Sequence, residues 1–221
     1  PGRGSDWDKA PNVMPFLQVD WSTSVAARRL FFMIGYMWEM GVAEDQLRWI
    51  FSADFMPFEF TFAEARHMWD ESRHGDSGLA RLRDAGLDIA DVGYSSYGKH
   101  GPGVIRAMSP RELYEEFYFI TQLAETGYFE TKRYCFEDFA LCRDDASAAM
   151  MQYDIIDETS HVEYGRRWLE EVMRHAGVDE DFRRRGAEER RRRPIEADVR
   201  VAALVEKRRE SPIGRRKEFI L

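Results

Sequence analysis

The sequence lacks the features that define several common classes of protein. Its only two cysteines, Cys135 and Cys142, provide neither a disulfide framework nor a CxxC metal site, which favours a reducing, cytoplasmic setting. The longest apolar run, Leu30 to Trp38, is far shorter than a membrane span, so we expect no membrane partner. The formal net charge is −8, and the absence of an overall basic field argues against nucleic acid as a partner.

What is present suits a compact domain. The chain of 221 residues is 44% hydrophobic and 14% aromatic, which is enough apolar material for a sizeable core or an apolar pocket. Charge is unevenly placed: residues 178–221 hold 14 Lys and Arg against 10 Asp and Glu, whereas residues 1–177 hold 18 against 30. We interpret the basic tail as a solvated helix face or a subunit contact, with a phosphate-binding patch as the alternative.

Apolar residues recur at helical spacing along most of the chain. No strand-like alternation or glycine-rich phosphate loop competes with this pattern. Two capping boxes, Thr61 with Glu64 and Ser109 with Glu112, each predict the start of a helix. The predicted helices are 22–51, 61–85, 110–141, a fourth that is capped by Asp144 or Asp145 and ends near Gly177, and a short fifth that stops before Pro194.

The spacing of these helices predicts a topology. Short turns join the first helix to the second and the third to the fourth, whereas residues 87–108 form a long connection without an obvious helix. Two helical hairpins joined by a long crossover are typical of the ferritin-like four-helix bundle, so the fold class is all-α. The predicted organisation is an N-terminal arm (1–21), the bundle (22–177) and a charged C-terminal helix and tail (178–221).

The second and fourth helices carry the same motif, D-E-x-x-H. It places Glu71 three residues before His74, and Glu158 three residues before His161. Residues three apart lie on one face of a helix, so each Glu and His can approach the same metal ion. Two such helices facing each other can hold two ions.

A glutamate precedes each motif at a matching distance. Glu39 lies 32 residues before Glu71, and Glu125 lies 33 residues before Glu158; each begins an E-x-G triplet. Positions this far apart in a helical hairpin can lie side by side on its two antiparallel helices. The pattern therefore forms an internal repeat, one copy on each hairpin. A buried pair of divalent ions needs several surrounding carboxylates, which this repeat supplies.

This constellation resembles the ferritin-like di-metal carboxylate superfamily, whose members contribute one Glu from each of two helices and Glu-x-x-His from each of the other two. The resemblance covers residues 22–177. It implies six metal ligands: Glu39, Glu71, His74, Glu125, Glu158 and His161.

The resemblance also implies a chemistry. Carboxylate oxygens with imidazole suit iron or manganese, so the expected cofactor is two iron ions, with Mn/Fe or Mn/Mn as alternatives. In that family the reduced di-iron form activates O₂, and the protein orients a substrate and receives electrons from a donor. We expect a non-haem di-iron oxidase or oxygenase that acts on a small organic substrate. No other catalytic side chain can be assigned from the sequence.

Three further residues belong with the predicted ligands. A metal-bound imidazole usually donates its other N–H to a carboxylate. By the symmetry of the repeat, Asp70 would serve His161 and Asp157 would serve His74. His67 lies four residues before Glu71, on the same helix face, and is a candidate additional ligand.

Some neighbouring residues have two interpretations. Tyr36 lies three residues before Glu39, where core packing is favoured over a redox role. Small residues such as Gly75 either leave space for a substrate or allow close helix packing. Further candidate carboxylates are Glu64, Glu130 and Glu163.

Other functions remain open at this point. The first alternative is a peroxide-removing protein similar to manganese catalase, or a ferroxidase that handles iron. The second is a structural or interaction module stabilised by a redox-silent ion such as zinc. A homodimer is the expected oligomer on general grounds alone.

Overall fold

The computed structural model describes residues 25–87, 107–141 and 143–192, and all regular structure in these ranges is helical. The all-α class predicted from the sequence is confirmed. The predicted arm, most of the crossover and the end of the tail lie outside the described residues. The helices are α1 (Val25–Ser52), α2 (Phe58–Asp84), α3 (Pro110–Tyr118), α4 (Glu125–Leu141), α5 (Asp145–Ala176) and α6 (Glu180–Arg192), and a π-helical segment (Phe119–Ala124) joins α3 to α4 without a break.

Two helix starts follow the predicted capping chemistry. The backbone N–H of Glu112 donates to the Ser109 hydroxyl at 3.2 Å, and the backbone N–H of Ser109 donates to the Glu112 carboxylate at 2.8 Å. At the start of α5, the Asp144 carboxylate accepts from the backbone N–H of Ser147 at 3.4 Å. That helix ends at Gly177, whose φ of 62° is a backbone conformation that glycine adopts readily.

The start of α2 differs from the prediction. The helix begins at Phe58, after Pro57, and not at the Thr61 capping box. Glu64, the expected second half of that box, is fully buried, and its Oε2 lies 3.6 Å from Nδ1 of His67. The capping-box prediction was wrong here because burial of the Glu64 side chain prevails over a local contact with the helix end.

The long helices pack in consecutive pairs. α1 lies along α2, α4 lies along α5, and α2 also contacts α5. At Gly75 in α2, a Cβ atom would lie only 2.7 Å from Sδ of Met40 in α1. Gly75 therefore allows close helix packing rather than space for a substrate. No helix within the described ranges has both the length and the apolar character needed to cross a membrane.

Two apolar clusters lie at different positions along the axes of these helices. The larger is built around Trp49, Phe60 and Phe117. The smaller contains Tyr36 and Phe139 and includes the buried side chain of Cys135. On α1, Glu39 lies between Tyr36 of the smaller cluster and Trp49 of the larger one, and on α5 the D-E-x-x-H motif lies between Met151 and Leu169. Apolar packing therefore flanks the polar centre described next.

Candidate metal centre

Eight acidic and histidine side chains meet between the two apolar clusters. They form two groups of four, and within each group one ligand atom from every residue lies within 4.8 Å of the others. All six ligands predicted from the sequence are among them, together with His67 and with Asp154, which the sequence analysis missed. Their role as metal ligands stays a prediction. The first ligand group is His67, Glu71, Glu125 and His161; the second ligand group is Glu39, His74, Asp154 and Glu158.

The glutamates of the two D-E-x-x-H motifs lie between the groups. Oε1 of Glu71 is 3.3 Å from Nδ1 of His161, and its Oε2 is 3.7 Å from Nδ1 of His74. One oxygen of Glu158 belongs to the second group, while its Oε2 lies 3.7 Å from Nδ1 of His161. Each of these carboxylates therefore faces ligand atoms of both groups.

His67 is integrated into the first group. Its ring lies against that of His161, with centroids 3.8 Å apart, and its Nε2 is 2.9 Å from Oε1 of Glu125. The side chain is completely buried, and Trp49 closes the far side with a ring contact at 6.3 Å. The helical spacing from Glu71 was the only sequence signal for this residue.

Asp154 and Lys132 are the residues that the sequence analysis missed. Asp154 lies four residues before Glu158 on α5 and is fully buried. Lys132 lies seven residues after Glu125 on α4, and its Nζ donates to Oδ1 of Asp154 at 2.8 Å and to Oε1 of Glu158 at 2.5 Å. The Tyr36 hydroxyl donates to the other oxygen of Asp154. Spacings of four and seven residues from the predicted ligands were the available signals.

The aspartates of the two motifs lie behind the histidines in a crossed arrangement. Oδ2 of Asp157 is 3.0 Å from Nε2 of His74, and Oδ2 of Asp70 is 3.5 Å from Nε2 of His161. Arg73 donates to both aspartates, at 2.8 Å to Asp70 and 2.6 Å to Asp157. This is the pairing expected from the symmetry of the repeat. Burial opposes ionisation of Asp157, but His74 and Arg73 outweigh it and hold the pKa of Asp157 below its usual value.

The ligand atoms are placed to coordinate a metal ion rather than to form hydrogen bonds with one another. Nδ1 of His74 lies 3.2 Å from Oε2 of Glu39 without the alignment of a hydrogen bond. Buried polar atoms without partners cost free energy, and divalent ions would satisfy several of them together. Among the described residues, the buried ligand atoms that make no hydrogen bond include Oε2 of Glu39, Nδ1 of His74, Oε2 of Glu125, Oε2 of Glu158 and Nδ1 of His161.

Burial and neighbouring charges shift the pKa values of the groups in this centre. Burial raises the pKa of Glu39 to about 8 and that of Glu125 to about 7. Burial acts to lower the pKa of His161, but the facing carboxylates of Asp70 and Glu158 raise it to about 10. A metal ion that bound at this centre would have to replace protons, and its binding would release them.

The π-helical segment precedes Glu125 directly. Gln122 in this segment donates to the backbone carbonyl of Val162 on α5 at 3.2 Å, and Thr121 donates back to the Phe117 carbonyl at 2.8 Å. A Cβ atom at Gly165 would overlap Thr121 and Gln122. The close approach at Gly165 therefore positions the turn that presents Glu125, a common use of π-helical turns.

Three other candidate carboxylates belong to neither group. Glu64 is fully buried beside His67 but belongs to neither group. Glu130 accepts a hydrogen bond from Tyr134 at 3.1 Å. Glu163 is exposed and pairs with Arg166 at 2.8 Å.

Comparisons with known proteins do not assign the chain to a family. No protein-family model, no curated protein and no solved structure matches it. The functional interpretation therefore depends on the residues of the centre and their geometry.

Proposed function

We propose that the chain is a ferritin-like di-metal carboxylate protein. Its four long helical stretches, which are α1, α2, the continuous segment from α3 to α4, and α5, form a four-helix bundle around two metal ions. The supporting observation is the pair of adjoining buried ligand groups, which contain five carboxylates and three imidazoles from α1, α2, α4 and α5. Carboxylates and imidazoles in this proportion are the donor set that iron and manganese favour. The first ligand group is the richer in imidazole, and the second is the richer in carboxylate.

The proposed activity is that of a non-haem di-iron oxidase or oxygenase that acts on a small organic substrate with O₂. When bound, two iron ions supply the electrons and the Lewis acidity for O₂ activation, and an electron donor returns the electrons. The chain contributes Glu71 and Glu158, which face both groups, and Asp157, which is hydrogen-bonded to His74 and fixes its ring. Asp70 lies 3.5 Å from Nε2 of His161, in the matching position of the repeat.

Burial of the centre supports chemistry that is protected from water. The ligand side chains are 6% exposed or less, except for Glu39, which is 20% exposed. We therefore propose that the substrate approaches from the Glu39 side. The apolar clusters on both sides of the centre lower the local dielectric and strengthen the electrostatic interactions there.

Elemental analysis of the full chain, purified without a metal-affinity step, tests the proposal. We expect close to two iron ions per chain, and O₂ consumption by the reduced protein in the presence of candidate organic substrates. Glu71→Ala should lose metal with little change in helix content, whereas Glu163→Ala, an exposed glutamate on α5, should keep it.

Other metal contents would redirect or overturn the proposal. Two manganese ions per chain would indicate removal of peroxide, and many irons per chain would indicate storage; either result replaces the oxygenase assignment. A chain that binds no metal after anaerobic loading with iron would exclude all of these functions. Full metal content in Glu71→Ala would show that the ligand assignment is wrong.

A further inference from the structure

Lys132 is a buried cation inside the second ligand group. Its Nζ lies 2.5 Å from Oε1 of Glu158, 2.8 Å from Oδ1 of Asp154 and 4.0 Å from Oε1 of Glu39. These are the three carboxylates of that group, and the Lys132 side chain is only 10% exposed. The ammonium neutralises part of a buried negative charge that would otherwise be costly.

The contacts of Lys132 involve oxygen atoms that a metal ion would need. Both oxygens of Asp154 already accept hydrogen bonds, one from Lys132 and the other from Tyr36. The ligand atoms of the second group that make no hydrogen bond are Oε2 of Glu39, Nδ1 of His74 and Oε2 of Glu158. An ion in this group must displace the ammonium from its carboxylates or bind close to a like charge.

The first ligand group has no such cation. In the described part of the chain, the ion-pair partners of Glu71 and Glu125 are histidines, with no lysine or arginine among them. His67 and His161, which are two of these partners, are themselves members of the group. An ion in this group therefore meets no lysine or arginine among the ion-pair partners of its carboxylates.

We propose that Lys132 makes the two metal positions unequal, so that the chain binds its divalent ions in a fixed order. The first ion enters the His67–Glu71–Glu125–His161 group with high affinity. The second enters the Glu39–His74–Asp154–Glu158 group weakly, because it competes with the Lys132 ammonium for Glu158 and Asp154. Lys132 thus determines the order of metal binding, so that the centre holds a single ion at low metal concentration. This inference rests on the proposed metal centre.

Titration of the chelator-treated full chain with Mn²⁺, followed by calorimetry and by electron paramagnetic resonance, tests the order. We expect two binding steps and, at one equivalent, the signal of an isolated Mn²⁺ ion. A spin-coupled pair should form only with excess Mn²⁺. In Lys132→Met the second step should tighten on the order of tenfold or more, since removal of a nearby positive charge lowers the repulsion felt by the ion. The first step should change little.

Arg133→Met is the matched control, because it removes the exposed cation beside Lys132 on α4 and should leave both steps unchanged. Two equally tight steps in the unaltered chain would overturn the order directly, whether or not Lys132→Met folds. An unchanged or weakened second step in a folded Lys132→Met, or in Lys132→Gln, would overturn the role of Lys132. These results leave the metal centre itself intact, whereas failure of the unaltered chain to bind Mn²⁺ or Fe²⁺ would exclude both proposals.

Discussion

Nε2 of His74 lies 3.0 Å from Oδ2 of Asp157, although the two residues are 83 positions apart in the sequence. The contact joins α2 to α5 immediately behind the proposed metal ligands. Because the other ring nitrogen of His74 faces Glu39 in the second ligand group, this contact fixes the orientation of a ligand rather than that of a surface side chain.

Asp157→Asn should weaken metal binding without unfolding the chain. The amide cannot accept the His74 N–H with the strength of a carboxylate, so the imidazole loses basicity and orientation. We expect metal affinity to fall about 10- to 100-fold, less than in Glu71→Ala, which removes a ligand. Equilibrium dialysis against Fe²⁺ or Mn²⁺ measures the change. Glu170→Gln, an exposed change on the same helix, is the control, and equal affinities in the two variants would contradict the role of Asp157.

His67→Gln should affect the first ligand group more than the second. The imidazole is one of four ligands there and contacts Glu125 at 2.9 Å, so its loss removes a donor and frees a carboxylate oxygen. We expect the high-affinity step of a metal titration to weaken by more than the roughly tenfold effect of losing an outer partner. His175→Gln is the matched control, because His175 packs on Phe55 away from the centre. If the first binding step had the same affinity in His67→Gln as in the unaltered chain, His67 would not be a ligand.

The stability of the metal-free chain should fall as pH rises. The pKa of Glu39 is raised from 4.5 to about 8 and that of His161 from 6.5 to about 10, so the folded chain holds protons more tightly than the unfolded chain. The His161 contribution is therefore complete below its unfolded pKa of 6.5 and is lost as pH rises through about 10. Glu125, with its pKa raised to about 7, acts in the same direction.

Urea unfolding of chelator-treated protein at pH values of about 6 and about 9 measures this dependence. Saturating Mn²⁺ should reverse the trend, because the ion competes with the same protons and binds more tightly at high pH. His161→Gln should show a smaller decline than the unaltered chain. A metal-free chain that gains stability over this range would contradict the assigned protonation of the centre.

Gly165→Ala should destabilise the chain and disturb the presentation of Glu125. The added methyl group overlaps Thr121 and Gln122 in the π-helical segment, so we expect a loss of about 1–3 kcal/mol in the free energy of unfolding. Chemical denaturation measures the loss. Gly127→Ala is the control, since a Cβ there meets nothing within 4 Å and should leave stability equal or higher. Equal effects of the two changes would exclude a packing role for Gly165.

Local chemistry made much of the helical framework predictable. The capping box at Ser109 and Glu112 and the left-handed Gly177 act within one helical turn, so their sequence signals carried into the structure. The Thr61 capping box was a wrong prediction, because α2 begins at Phe58 and its expected partner, Glu64, is fully buried. Burial outweighs a local hydrogen bond, and sequence spacing does not report it.

The sequence by itself determined which residues share a helix face. Each D-E-x-x-H motif requires only helical periodicity, whereas Glu39 and Glu125 were linked to the motifs by their matching distances across the two predicted hairpins. Together these spacings identified Glu39, Glu71, Glu125 and Glu158 as a set. Only the tertiary structure decided how they divide into two groups and which side chains join them. Lys132 and Asp154 meet because α4 and α5 pack side by side, and no spacing within one helix records that contact. The position of the Lys132 charge within the second ligand group depends on this packing. The energy of interaction between two buried charges depends on their distance in space and not on their separation in the sequence.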